Sequence, residues 1–185
     1  MLEAMLCSNG QSDKFEADFE SLFKKGKEAI RENKVVLVMV DDDEDDCLLV
    51  QEALRDAGFN CTFRCVQDGV EIMDYLMREG RYRNAHETAP IPDLILLDLN
   101  MPRMNGREVL RKLKTDHRFR SIPVIVLTTS TARKDVDACY DLGANSYMTK
   151  QSTFDDLVAA ISSLLEYWLK VAILPPRKNT SSDPS

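Results

Sequence analysis

No apolar run in this chain of 185 residues approaches the roughly 18 residues needed to cross a membrane, so a membrane-spanning role is not expected. The opening MLEAMLCSNG has neither a basic start nor a long apolar segment, and so lacks the form of a secretory signal. Lys and Arg number 24 against 31 Asp and Glu, for a net charge of −7, and the basic residues form no stripe. Phosphate backbones are bound by clustered Lys and Arg, so nucleic acid is not expected as the main partner. Cysteine is sparse and odd in number, five in all, which suits a reduced cytoplasmic chain better than a disulfide framework. Cys61 and Cys65 are four apart without nearby Cys or His partners, which argues against zinc. Most of the cysteines are expected to be small buried apolar residues. His86 and His117 lie in polar stretches and read as solvated. No internal repeat is present.

What is there is an alternation. Hydrophobic residues make up 44% of the chain and charged ones 30%, enough for one domain with extensions. Short apolar runs recur at VVLVMV (35–40), LILL (94–97) and VIVL (124–127), with weaker ones at CTFRCV (61–66) and NSYM (145–148). Continuous rather than alternating apolarity marks strands covered on both faces. Between them lie helical patterns: Leu48, Leu49, Glu52 and Ala53 up to Gly58; Val70, Ile72, Met73, Leu76 and Met77 up to Gly80; Val109, Leu110 and Leu113; Val136, Cys139 and Tyr140 before Gly143. A last one runs from Phe154 through Trp168 and Leu169, with Ser152 or Thr153 as its cap and Pro175 as its limit. The polar stretch 78–93 reads as a surface loop. The whole is an α/β chain of (βα)5 type, with a parallel sheet and helices on both faces.

In open parallel sheets, ligands bind beyond the carboxyl ends of the strands. There the chain places Asp41 and Asp42, then Asp98 with Asn100 and Pro102 behind it, then Thr128, and finally Lys150. The first pair opens the run DDDEDD, and six adjacent acids repel unless something compensates. Glu44, Asp45 and Asp46 read as a helix start facing water, favoured by the helix dipole; for Asp43 the pocket and the solvent are equally open. Three carboxylates suit a hard divalent cation such as Mg2+. An EF-hand reading fails because Asp46 stands where Gly is required and an apolar strand precedes it. A carboxylate beside such a cation can accept a phosphoryl group. Asp98, on the central strand, is the natural acceptor, with Lys150 and Thr128 reading the phosphoryl oxygens.

The motifs VMVDDDEDD, LILLDLNMPRMNG, IPVIVLTTS and GANSYMTK resemble, in order and spacing, those of receiver domains of two-component response regulators. The resemblance covers roughly residues 35 to 170. It implies a flavodoxin-like three-layer sandwich with strand order 2-1-3-4-5 and Asp98 as phosphoacceptor. It further implies metal binding by Asp42 directly, by Asp41 through water, by Asp98 and by the Asn100 carbonyl. Thr128 and Tyr147 would be the switch pair, a histidine kinase the donor, and output would run through protein contacts rather than enzymatic turnover. LLDLNMPRMNGREVL and EYWLKVAILPP resemble the single-domain regulators that partner bacterial phytochromes. One departure is Gln151, which follows Lys150 where the family has a proline after a cis bond. A dehalogenase-type phosphatase, with its D-x-D after the first strand, is the rival chemistry; a relay intermediate is a variant of the leading one.

The expected boundaries are an N-terminal extension with an amphipathic helix (1–33), a receiver domain (34–170) and a C-terminal arm and tail (171–185). Neither extension is long enough for an output domain. The surplus apolar length around Trp168 and Ile173 predicts a homodimer in which the last helix and the following arm pack across a two-fold axis.

Overall fold

The computed structural model describes residues 34–56, 58–85, 89–151 and 153–177; the expected N-terminal helix and the polar tail lie outside them, as do Ser152 and His86. The chain divides after Lys34, and the unit from Val35 onward carries the sheet. Five strands, β1 (Val35–Val40), β2 (Cys61–Val66), β3 (Leu94–Leu97), β4 (Val124–Thr128) and β5 (Ser146–Thr149), alternate with five helices. These are α1 (Glu44–Asp56), α2 (Gly69–Met77), α3 (Gly106–Thr115), α4 (Arg133–Asp141) and α5 (Phe154–Glu166). All neighbouring strands pair in parallel, in the order β2-β1-β3-β4-β5, as the sequence predicts.

The two-residue period of the strands explains why the central runs are apolar throughout. Val36, Val38 and Val40 of β1, with Ile95 and Leu97 of β3, face one core beneath α2 and α3. Leu37, Met39, Leu94 and Leu96 face the other, beneath α1 and α5. Leu96 is fully buried; truncating such a residue to Ala costs ~2–5 kcal/mol.

Caps fix the helix starts. Asp68 accepts from the backbone of Val70 and Glu71, Asn105 and Glu108 form a reciprocal capping box on α3, and Thr153 accepts from Asp156 on α5. After Glu166 the helix widens into a π-helical turn, Tyr167–Val171, and Ala172 is extended. The last helix therefore stops three residues before the proline that was expected to end it.

Three other expectations change. The apolar face of α1 is Cys47, Val50, Ala53 and Leu54, whereas Leu48 is exposed. Stretch 78–93 is more than a surface loop: it contains a 3-10 turn, Gly80–Tyr82, Ala89 is buried, and the Tyr75 hydroxyl donates to the Pro90 carbonyl at 2.7 Å. Nor are all cysteines reduced, because Cys47 of α1 is joined to Cys65 of β2 in a disulfide. Helix and edge strand are adjacent in space although 18 residues apart, a proximity that sequence spacing does not reveal.

The amino ends of the strands are closed by polar links. Asp93 accepts from the Val36 backbone at 2.7 Å and from Arg177 Nε at 2.7 Å, which returns the arm after α5 to this pole. Lys114 donates to the carbonyls of Ile122 (2.8 Å) and Arg120 (3.4 Å) and to Asn145 Oδ1 (3.1 Å). Burial pushes its pKa down to about 8.

Candidate functional site

The carboxyl ends of the strands hold the opposite arrangement. β1 delivers Asp41, which is buried, and Asp42, which is exposed; β3 delivers Asp98, which is buried. One oxygen from each of these three carboxylates lies within 4.8 Å of the others. That donor set, all oxygen and partly open, fits a hard divalent cation. The backbone holds it in place: Asp41 N donates to the Val66 carbonyl and Asp98 N to the Val40 carbonyl, at 3.0 and 2.9 Å. A Cβ built on Gly106 would overlap the carbonyl oxygen of Asp98, so only glycine lets α3 begin this close behind the β3 tip.

Lys150 supplies the opposing charge. Its Nζ is 2.7 Å from Asp41, 2.5 Å from Asp46 and 4.0 Å from Asp98. The described chain has no cis peptide bond, so the Lys150–Gln151 link is trans, and the ammonium reaches the pocket without the proline. Burial lowers the Lys150 pKa, but its bonds to Asp41 and Asp46 and the charge of Asp98 outweigh that and hold it above its ordinary value. Burial pushes Asp41 up to about 6 against the pull of Lys150.

Asp46 corrects the expectation that it merely faces water. It shares a helical face with Val50, Ala53 and Leu54, spaced four, seven and eight residues on, and that periodicity is the signal that could have found it. Asp43 resolves to a cap, accepting from the Asp45 backbone at 2.9 Å while its own N–H donates to Asp41 at 3.1 Å.

Thr128, fully buried at the β4 tip, lies 3.5 Å from Asn100 Nδ2. The Asn100 backbone N–H donates to Asp98 at 3.0 Å. Tyr147 packs against the α2–α3 core and its hydroxyl donates to the Ser130 carbonyl at 2.9 Å; burial raises its pKa. The Ser130 hydroxyl donates to Asp135 at 2.6 Å, and Asp135 also pairs with Arg107 at 2.7 Å. One chain of contacts thus joins the start of α3, the start of α4 and Tyr147. Trp168 packs partly onto its own domain, while Ile173 is exposed.

A three-layer α/β sandwich thus carries an acidic pocket and a lysine at the carboxyl edge of its parallel sheet. The chain belongs to the response regulator receiver domain family, whose model matches residues 36–162; the family consists of phosphorylation-dependent signalling proteins rather than typical enzymes. It is 39% identical over 140 residues to response regulator Rcp1 of Synechocystis sp., covering 76% of this chain and 92% of that protein. Among solved structures it is similar to the phosphorylated cyanobacterial phytochrome response regulator RcpA, with 41% identity, a TM-score of 0.72 and coverage of 77% and 99% of the two chains. The Mn(2+)-bound form of Rcp1 is similar at 39% identity and a TM-score of 0.71, over 76% and 99% of the two chains. No helix among the described residues is long and apolar enough to cross a membrane.

Proposed function

We propose that this protein is a cytoplasmic phosphorylation switch in which Asp98 accepts a phosphoryl group from a histidine kinase. The observation that carries it is the convergence on Asp98 of two further carboxylates within 4.8 Å and an ammonium at 4.0 Å. The Asp98 carboxylate attacks phosphorus, the imidazole of the donor leaves, and an acyl phosphate forms. Asp41, Asp42, Asp98 and the Asn100 carbonyl would hold Mg2+, which supplies neutralisation of a phosphoryl oxygen. Lys150 exchanges a carboxylate partner for a second oxygen, and the Thr128 hydroxyl donates to a third. Such transfers depend mainly on positioning and charge, which these residues provide.

Movement of Thr128 toward the new phosphoryl group would pull the loop that carries Ser130, and with it the hydrogen bond from Tyr147. Two packings of the α4–β5–α5 face then differ in their affinity for a partner protein. The likeness to phytochrome response regulators favours a phytochrome-type histidine kinase as donor, and the same residues would serve a relay intermediate. Exposed Tyr167, Val171 and Ile173, alongside Trp168, favour a homodimer through the end of α5.

Incubating the full chain with acetyl phosphate and Mg2+, and weighing it intact, tests the reading. The wild type is expected to gain one acid-labile phosphoryl mass and Asp98→Asn none. An unmodified wild type, or an equal adduct on the variant, overturns it.

A further inference from the structure

Each end of the Cys47–Cys65 link is one residue along the chain from a group that bonds to the pocket. Cys47 is buried on the first turn of α1, directly after Asp46, whose carboxylate is 2.5 Å from Lys150 Nζ. Cys65 is exposed on the edge strand β2, directly before Val66, whose carbonyl accepts from Asp41 N at 3.0 Å. The Cα atoms are 6.2 Å apart, a separation that a disulfide spans without moving the backbone. In this linked form Lys150 sits on Asp41 and Asp46 and 4.0 Å from Asp98.

We propose that Cys47 and Cys65 form a reversible dithiol–disulfide pair, oxidised by low-molecular-weight disulfides, that governs how fast the pocket accepts a phosphoryl group. The inference rests on Asp98 being the acceptor. Exposed Cys65 is the attacking thiolate: it displaces one thiolate from the small disulfide and forms a mixed disulfide. The Cys47 thiolate then attacks the Cys65 sulfur and displaces the second. Two protein thiols lose two protons and two electrons in all, and one small disulfide becomes two thiols. A link open to solvent at its Cys65 end is within reach of small thiols and is the labile type in a reducing compartment. Closing it pins the first turn of α1 to β2 and holds Asp46 on Lys150. Opening it frees that turn, and Lys150 moves more readily from Asp46 to a phosphoryl oxygen.

The test takes the full chain after glutathione disulfide or after dithiothreitol, with differential alkylation, peptide mapping and timed loading by acetyl phosphate and Mg2+. A Cys47–Cys65 cross-linked peptide is expected only in the oxidised sample, and the reduced sample is expected to load faster by roughly fivefold, the lower range of ordinary coupling between sites. Cys65→Ser is expected to load at the reduced rate under both conditions. Absence of the cross-link, or equal loading rates despite it, overturns the proposal. Absence of any adduct in both samples overturns the acceptor reading and the coupling with it, whereas the cross-link is scored independently of both.

Discussion

The two ends of the sheet each half-bury a lysine, and they treat it in opposite ways. Lys114, at the amino end, is met by two backbone carbonyls and an amide oxygen, and burial lowers its pKa to about 8. Lys150, at the carboxyl end, is met by the carboxylates of Asp41 and Asp46, and its pKa is raised. Around Lys114 the partners are neutral, so the ammonium is itself the uncompensated charge. Around Lys150 the acids outnumber the base, since Asp42 and Asp98 lie in the same pocket. A closed, neutral set of contacts holds the fold together at one end; the surplus of negative charge at the other suits it to a cation.

One substitution at each pole separates the two roles. Lys150→Ala is expected to slow loading of Asp98 by acetyl phosphate on the order of 100-fold, the scale of losing one group aimed at developing charge, as read by timed intact mass. Loading that is unchanged would make Lys150 no more than a structural counterion. At the other pole, Arg177→Ala breaks the ion pair with Asp93, a part-buried bidentate contact, and is expected to cost ~1–3 kcal/mol in urea unfolding. Phosphoryl loading should not change, and a slowed variant would show that the two ends are coupled.

The smallest effect concerns pH. The Lys114 pKa is about 8 in the folded protein against 10.5 for the ordinary group, so between these values the unfolded chain binds the proton and the folded one releases it. Stability contributed through Lys114 therefore rises as the pH goes from 8 to 10. The urea midpoint of the wild type should gain over that range relative to Lys114→Met, which removes the titration. For Lys150 the folded pKa is raised, so the stability its own protonation contributes is present below the ordinary lysine value and is lost as the pH rises through the folded one.

The contrast between the poles also separates what was legible in the sequence from what was not. Strand ends announce themselves: a strand covered on both faces must be apolar until it leaves the core, so Asp41, Asp98, Thr128 and Lys150 could be placed from the runs alone. Asp46 was hidden among five other acids, and its alignment with Val50 and Ala53 shows only when the helix is numbered by its buried face. The amino pole was illegible for a different reason. Its links, Asp93 to Arg177 and Lys114 to Asn145, are 84 and 31 residues apart and follow no period. Cys47 and Cys65 meet only because α1 packs beside the edge strand. Leu48 and Tyr140, apolar but exposed, show that hydropathy alone misjudges which side of a helix is covered.

Asp42 is the exposed member of a trio whose other two members are buried. For any divalent cation the pocket takes, that makes Asp42 the point of arrival, with Asp41 and Asp98 behind it. Ion exchange would then be timed by how quickly the metal sheds its own water, with no opening of the fold to wait for.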